Sequence, residues 1–230
     1  GVHPQNLEHT IYDVMITGEA SAREVIRSTS VPGMDVMPAN IDLSGAELLL
    51  VSEVGREQSL MRALRPVRND YDVIIIDCQP SLGLLTVNAL TAARWVLIPV
   101  ECEYFSLRGV ALLQDTVTKI QERTNPYLEV LGVLATMFDR TLHAREVLGR
   151  VVEAFGDRVF HTVITRTVKF PETSVAGVPI TAYAPTSAAA KSYRELGREV
   201  LARIDPESMG AAEPDASPHD GPGSQQLALG

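Results

Sequence analysis

Two cysteines in 230 residues, Cys78 and Cys102, exclude the disulfide framework of a small secreted domain. Each follows an expected core strand, so both are expected to be free, buried thiols. No run of about 18 or more apolar residues occurs and no charged-then-apolar leader is seen, so neither a membrane span nor secretion is expected. The five histidines, His3, His9, His143, His161 and His219, lack zinc spacing. Aromatic residues are not interleaved with basic ones for stacking on single-stranded nucleic acid, and no recognition-helix motif is present. Absent too is any G-x-x-x-x-G-K-[ST] or K-G-G-x-G-K-T run. These residues therefore contain no loop whose N–H groups cradle phosphates, whose lysine neutralises them and whose hydroxyl ligates magnesium.

What is present suits a globular chain with a core of its own: hydrophobic residues make up 45% and charged residues 21%. The net charge of −9 is unevenly spread. Residues 139–204 hold ten Lys or Arg against seven Asp or Glu, whereas residues 205–230 hold five acids and no Lys or Arg. Local fields decide where a polyanion docks, so the basic third is the candidate nucleic-acid surface. Residues 1–204 are expected to form one α/β domain, and 205–230, rich in Ala, Gly, Pro, Ser and acid, a disordered tail.

Residues 71–90 organise the rest. Val73, Ile74, Ile75 and Ile76 form an unbroken β-branched run without polar alternation, as in a strand buried on both faces of a parallel sheet. Asp77 stands at its carboxyl end, the edge where open α/β sheets bind ligands. In a nucleotide-binding fold a carboxylate there holds magnesium through water; otherwise it caps the next helix or merely ends the strand. Pro80 and Gly83 turn the chain into a helix starting near Leu84.

The remaining periodicities alternate helix and strand. Residues 7–27 read as two short helices broken at Gly18, with Ser21 and Glu24 at capping-box spacing. Pro32-Gly33 is a turn and 34–40 a short strand. Asp42 is expected to cap a helix reaching about Ser52, and Gly55 to separate it from another at 56–65. Strands are expected at 95–101, 127–139 and 159–164, and helices at 105–122 and 141–155. Right-handed crossovers then give a doubly wound, mostly parallel sheet with helices on both faces. Glu101 and Glu103 flank the end of one strand, where solvated or dimer-facing roles are favoured over an acid–base pair.

The stretch YDVIIIDCQPSLGLLTVNAL at 71–90 closely resembles the Walker B region of the ParA-type, Soj-like chromosome and plasmid partition ATPases, members of the deviant Walker A group that includes MinD. Matching stretches are PANIDLSGAELLLVS at 38–52, VLIPVECEYFSLRGVALL at 96–113, GVLATMFDRTLHAREV at 132–147 and TVITRTVKFPETSVAGVPITAYAPTSAAAKSYRELGREV at 162–200. The resemblance runs almost without interruption from Gly1 to about Ile204. It implies a P-loop NTPase-like fold whose first strand, phosphate loop, first helix and second strand are not among these residues, which would leave sheet edges and apolar helix faces exposed. It also implies ATP and Mg2+ as cofactors, an ATP-dependent homodimer that binds double-stranded DNA non-specifically, stimulation by a ParB-type protein, and a cytoplasmic, nucleoid-associated location. A non-catalytic ParA-like DNA-binding scaffold and a MinD-like positioning ATPase are the alternatives. MinD-like relatives end in a basic amphipathic membrane helix that this tail lacks, so no membrane partner is expected.

Carried over residue by residue, the resemblance makes Asp77 the magnesium-positioning carboxylate and leaves no catalytic phosphate-loop residue in the chain. It sets Met137, Phe138 and Asp139, with Thr165 and Arg166, near the adenine, although Met137 and Phe138 read equally as core. Arg166 and Lys169 lead the DNA-contact residues, followed by Arg140 and Arg145, then Lys191, Arg194 and Arg198 on the last helix. Thr165 stands where the family often has Pro. Lys169 stands where Arg is common, keeping the charge but losing the bidentate fork.

Overall fold

The computed structural model describes residues 2, 7–102, 106–139 and 141–205; Glu103, Arg140 and the expected tail from 206 onward lie outside the described residues. The chain divides into two compact units. The first comprises Gly1–Thr29, Asp35–Val96 and Arg108–Val130, and the second Ser30–Met34, Leu97–Leu107 and Leu131–Gly230.

The first unit opens on a π-helical turn, Asp13–Thr17, ended by Gly18 at φ 71°. Then comes α1 (Ala22–Val25), whose capping box forms as its sequence dictates: the Ser21 N–H donates to the Glu24 carboxylate at 2.8 Å. Strands β1 (Arg27–Ser28) and β2 (Asp35–Val36) form a short antiparallel pair. The single helix expected to start at Asp42 is instead a 3-10 turn, Ile41–Gly45, feeding α2 (Ala46–Leu50). Its cap is Asn40, two residues earlier, whose Oδ1 accepts from Asp42 N at 3.2 Å. Asn caps as well as Asp, and Asn40 holds the extended backbone that a cap requires.

After Gly55 at φ 66° come α3 (Ser59–Leu64) and α4 (Leu84–Ala92). Buried Asn88 locks them together, accepting from Leu60 N at 3.1 Å and donating to the carbonyls of Arg56 (2.8 Å) and Leu84 (2.9 Å). Every polar atom of that amide has a partner, which is what lets it sit in the core. The apolar core of this unit joins Leu90 of α4 to Val117 and Ile120 of α5 (Ser106–Arg123), with Leu128 beneath.

One strand expected from sequence does not form. Residues 73–79 carry no regular secondary structure, and Ile74 and Ile75 are 40% and 57% exposed. A strand is made by a neighbour's N–H and C=O groups as much as by its own side chains. Among the described residues no strand pairs with this segment. Ile41, Leu48, Val51 and Val54 of the same unit are also exposed.

Strands β3 (Trp95–Glu101) and β4 (Glu129–Thr136) are neighbours in one sheet. Arg94 O accepts from Glu129 N at 2.9 Å and Cys102 N donates to Thr136 O at 3.4 Å, so the register ascends in both and the pair is parallel. In the second unit the other edge of β4 meets residues 159–165 through parallel bridges, Val133 with Val159 and Phe138 with Thr165. The strand expected at 159–164 thus appears as isolated bridges.

Successive β4 residues point to opposite faces, and each face is covered. Ala135 packs with Cys102 and with Ala144 and Val147 of α6 (Leu142–Phe155). Leu134 packs with Phe160 and Ile164, against Phe170 of α7 (Lys169–Ala176) and Leu196 and Val200 of α9 (Ala188–Ile204). Between these two helices, Ile180 of α8 (Ile180–Tyr183) packs on Ala189 and Ala190. The result is α/β layering around a parallel strand.

Helix α9 also substitutes for the incomplete ladder at 159–162. Glu199 accepts from the N–H groups of His161 (2.8 Å) and Thr162 (3.1 Å). The Arg203 guanidinium lies 4.0 Å from the centre of the Phe160 ring and donates to the carbonyls of Leu131, Arg158 and Val159. Both cysteines are free; Cys102 is buried as expected, but Cys78, beside the unpaired segment, is exposed. No helix among the described residues is long and apolar enough to cross a membrane.

Candidate functional site

In the first unit Asp77 ends the unpaired segment. It is exposed, and its carboxylate has no hydrogen bond or ion pair among the described residues. The turn behind it is well braced. Ser81 N donates to Gln79 O at 2.8 Å, and Thr86 Oγ1 donates to Ser81 O at 2.6 Å. Glu47 of α2 reaches across to the same turn, where its Oε1 accepts from Leu85 N at 3.2 Å and from Gln79 Nε2 at 3.3 Å. No group of three or more His, Cys, Asp or Glu among the described residues is placed to hold a metal. A lone, solvent-facing carboxylate fits the other mode of magnesium binding, in which the ion keeps several waters and a ligand's phosphates and the protein would hold it through one of those waters.

In the second unit the structure brings together the residues expected near the base. Phe138 N donates to Ile164 O and Arg166 N donates to Phe138 O, both at 3.1 Å. This sets residues 137–139 beside Thr165 and Arg166 at the carboxyl ends of parallel strands. Met137 is the one non-glycine among the described residues with positive φ, at 50°, and its side chain is partly exposed. Phe138 is half-buried and packs against the Cys102, Ala135 and Ala144 cluster.

Asp139 is an acceptor for Thr141, through the Thr141 side chain and its N–H at 3.2 Å. Those bonds, with smaller contributions from the charges of Arg166 and His143, hold its carboxyl below the usual range. The Thr141 hydroxyl in turn caps α6 by accepting from Ala144 N at 3.2 Å. Asp139 therefore orients the helix that comes after it and shares a neighbourhood with Arg166.

Of the basic residues, Arg145 on α6 and Arg166 are exposed, and Lys169 is half-buried at the first position of α7. On α9, Lys191 and Arg198 are exposed. Arg194 instead spends its guanidinium on carbonyls, donating to Pro185 O at 2.7 Å and Thr181 O at 3.2 Å, which ties α8 to α9. Sequence reasoning missed Glu47. The signal was a single acid in the otherwise small and apolar run Gly45-Ala46-Glu47-Leu48-Leu49-Leu50, but its partners lie more than 30 positions away.

A family model described as an AAA domain matches residues 1–130. Over 205 residues the chain is 58% identical to an uncharacterized protein of Mycobacterium tuberculosis (strain ATCC 25618 / H37Rv), covering 89% of this chain and 64% of that one. It thus spans somewhat less than two thirds of that relative's length. Over 195 residues it is 47% identical to the chromosome-partitioning ATPase Soj of Treponema pallidum (strain Nichols), covering 84% of this chain and 77% of that protein. The chain belongs to the ParA/Soj family. A crystal structure of cobyrinic acid a,c-diamide synthase from Mycobacterium smegmatis with bound ADP and magnesium matches the ParA/Soj chain with a TM-score of 0.76 at 37% identity, covering 95% of this chain and 80% of that one. The α/β, P-loop NTPase-like architecture and the family read from residues 71–90 and the four other stretches both hold.

Proposed function

We propose that this chain is the larger part of a chromosome- or plasmid-partition ATPase that binds ATP with magnesium, dimerises around it, binds double-stranded DNA without sequence preference and is released by a ParB-type partner in the cytoplasm. The observation that carries this reading is the likeness to a chromosome-partitioning ATPase over 84% of the chain, with Asp77 exposed at the expected metal position. A magnesium-linked nucleotide, when bound, would supply the phosphoryl group, and the residues here would hold and orient it. Asp77 would hold the ion through water. Met137, Asp139, Thr165 and Arg166 border the base, with Phe138 supporting them from the core. Arg145, Arg166, Lys169 and Arg140 supply the charge that meets DNA phosphates, with Lys191 and Arg198 adding to it. Such binding weakens steeply with salt, because each phosphate contact releases condensed counterions.

The test is binding of a fluorescent ATP analogue with magnesium by the 230-residue chain, beside a version extended upstream to the first in-frame start. Binding by the extended form alone is the expected result, because no phosphate-loop sequence occurs among the 230 residues. That same absence favours one other reading, a DNA-binding scaffold without ATPase activity. Nucleotide binding by neither form, together with salt-dependent DNA binding by both, would replace the ATPase with the scaffold.

A further inference from the structure

The turn that carries Asp77 onward has a support that neither the segment before it nor its own backbone provides. Residues 73–79 have no ladder partner among the described residues, and on its carboxyl side Asp77 is fastened through the turn into α4. There a single carboxylate oxygen, Glu47 Oε1, accepts from Gln79 Nε2, two residues after Asp77, and from Leu85 N, in the first turn of α4. The two bonds span the whole turn and fasten both its ends to α2. The carboxylate also sits at the positive end of the α4 dipole, which favours it there. Gly83 completes the fit: a Cβ at that position would lie 2.8 Å from Glu47 Cδ and overlap Oε1. The glycine is needed for the approach of the acid, since its φ of −79° is open to any residue.

We infer that Glu47 is the positioning residue of the metal site: it holds the 77–85 turn in place and so sets the magnesium affinity that Asp77 provides. This rests on the reading of Asp77 as the magnesium-positioning carboxylate. Glu47 acts through the turn, by its bonds to Gln79 and Leu85. Because coupling is reciprocal, a turn tightened by Glu47 binds the metal better, and metal binding protects the Glu47 bonds.

The experiment has two arms. In the 230-residue chain, hydrogen exchange of the Leu85 amide is measured for wild type, Glu47→Ala and Glu47→Gln. Exchange about tenfold faster in Glu47→Ala, with Glu47→Gln close to wild type, is expected, since one charge-assisted hydrogen bond is worth about a factor of ten or more and the amide oxygen of Gln can accept both bonds. Equal exchange in all three would overturn the brace itself. In the extended chain, the magnesium concentration that half-saturates binding of the fluorescent ATP analogue is measured for Asp77→Ala, both Glu47 variants, Gly83→Ala and the Glu47→Ala/Gly83→Ala pair. Asp77→Ala is expected to lose the magnesium dependence. Glu47→Ala and Gly83→Ala should each raise the midpoint about tenfold, with Glu47→Gln within about threefold of wild type and the double variant no worse than Glu47→Ala, because both changes break one contact.

A midpoint unchanged in Glu47→Ala while Asp77→Ala abolishes the dependence would overturn the inference and leave the metal reading intact. Magnesium dependence that survives Asp77→Ala would overturn the metal reading, and the inference with it. Should Glu47→Ala fail to fold, Gly83→Ala decides, because it displaces the same carboxylate from outside α2. An unchanged midpoint in that variant counts against the inference.

Discussion

Strand β4 and residues 73–79 are built from similar side chains and meet different fates. Each carries a β-branched or aliphatic run, each precedes a candidate site carboxylate, Asp139 or Asp77, and each feeds a helix. On one edge β4 is bonded to β3 and on the other to residues 159–165, and its inward side chains are covered on both faces. Residues 73–79 meet no strand among the described residues, and Ile74 and Ile75 face solvent. Side-chain propensity proposes a strand, and a partner's backbone makes one. The two carboxylates differ accordingly. Asp139 is placed by the sheet and by Thr141, whereas Asp77 depends on the side-chain brace from α2.

The sharpest way to break this comparison is to place a charge in each segment. Leu134→Asp in β4 buries an unpaired carboxylate in a packed core and should cost several kcal/mol, on the order of 3 or more, enough to unfold the second unit. Ile75→Asp in the 230-residue chain should change stability by less than about 0.5 kcal/mol, because that side chain already meets water. Urea midpoints of the two variants check both. A large loss for Ile75→Asp would show that the segment is paired in solution after all. The same exposed apolar side chains predict that Ile75→Asp improves solubility, which static light scattering would register.

A smaller effect sharpens the comparison from the β4 side. Gly132 lies within β4 where Arg203 crosses it, and a Cβ there would meet Arg158 O and Phe160 Cε2 at 2.5 and 2.7 Å, as well as Arg203 Nη1. Backbone oxygen cannot yield as a flexible side chain does. Gly132→Ala should therefore destabilise by about 1–3 kcal/mol through overpacking. Glycine usually weakens a strand interior, so a stabilised Gly132→Ala variant would mean that the α9 clamp does not close against the sheet.

How much of the molecule was legible in the sequence depends on how local each cause is. The Ser21–Glu24 capping box, the Gly18 and Gly55 breaks, and α4, α5 and α6 depend on neighbours a few positions away, and they stand where the residues put them. The Asp42 cap moved to Asn40 because two nearby good acceptors compete within one turn. The unpaired state of 73–79 and the exposure of Cys78 depend on which strands lie alongside, and the packing of Phe138 on residues such as Cys102, far along the chain, none of which periodicity can see. For the candidate site, the family resemblance set Asp139, Thr165 and Arg166 near one another, and the parallel bridge between Phe138 and Thr165 does bring these residues together. Glu47 was missed, because its partners are Gln79 and Leu85. Arg194 carried a charge that pointed to DNA, yet it is used to bind two carbonyls within the fold.

The smallest expected effect concerns the polar link that replaces a ladder at 159–162. Burial pushes the Glu199 carboxyl up. The N–H groups of His161 and Thr162, with further hydrogen bonds from their side chains, outweigh that and leave it below its ordinary value. A carboxyl that is more acidic in the folded than in the unfolded state adds stability at any pH above its unfolded value, about 4.3 for Glu. That contribution fades as pH falls from there through the lower folded value. Glu199→Gln keeps an acceptor for the two N–H groups but cannot titrate. Its melting temperature should be lower than wild type at pH 7 and converge on it toward pH 3, where wild-type Glu199 is also neutral. A difference that stays constant across that range would assign the link to shape alone. One that shrinks as predicted would show that charge at Glu199 holds the irregular edge of β4's sheet, the counterpart of what Glu47 does for the turn after Asp77.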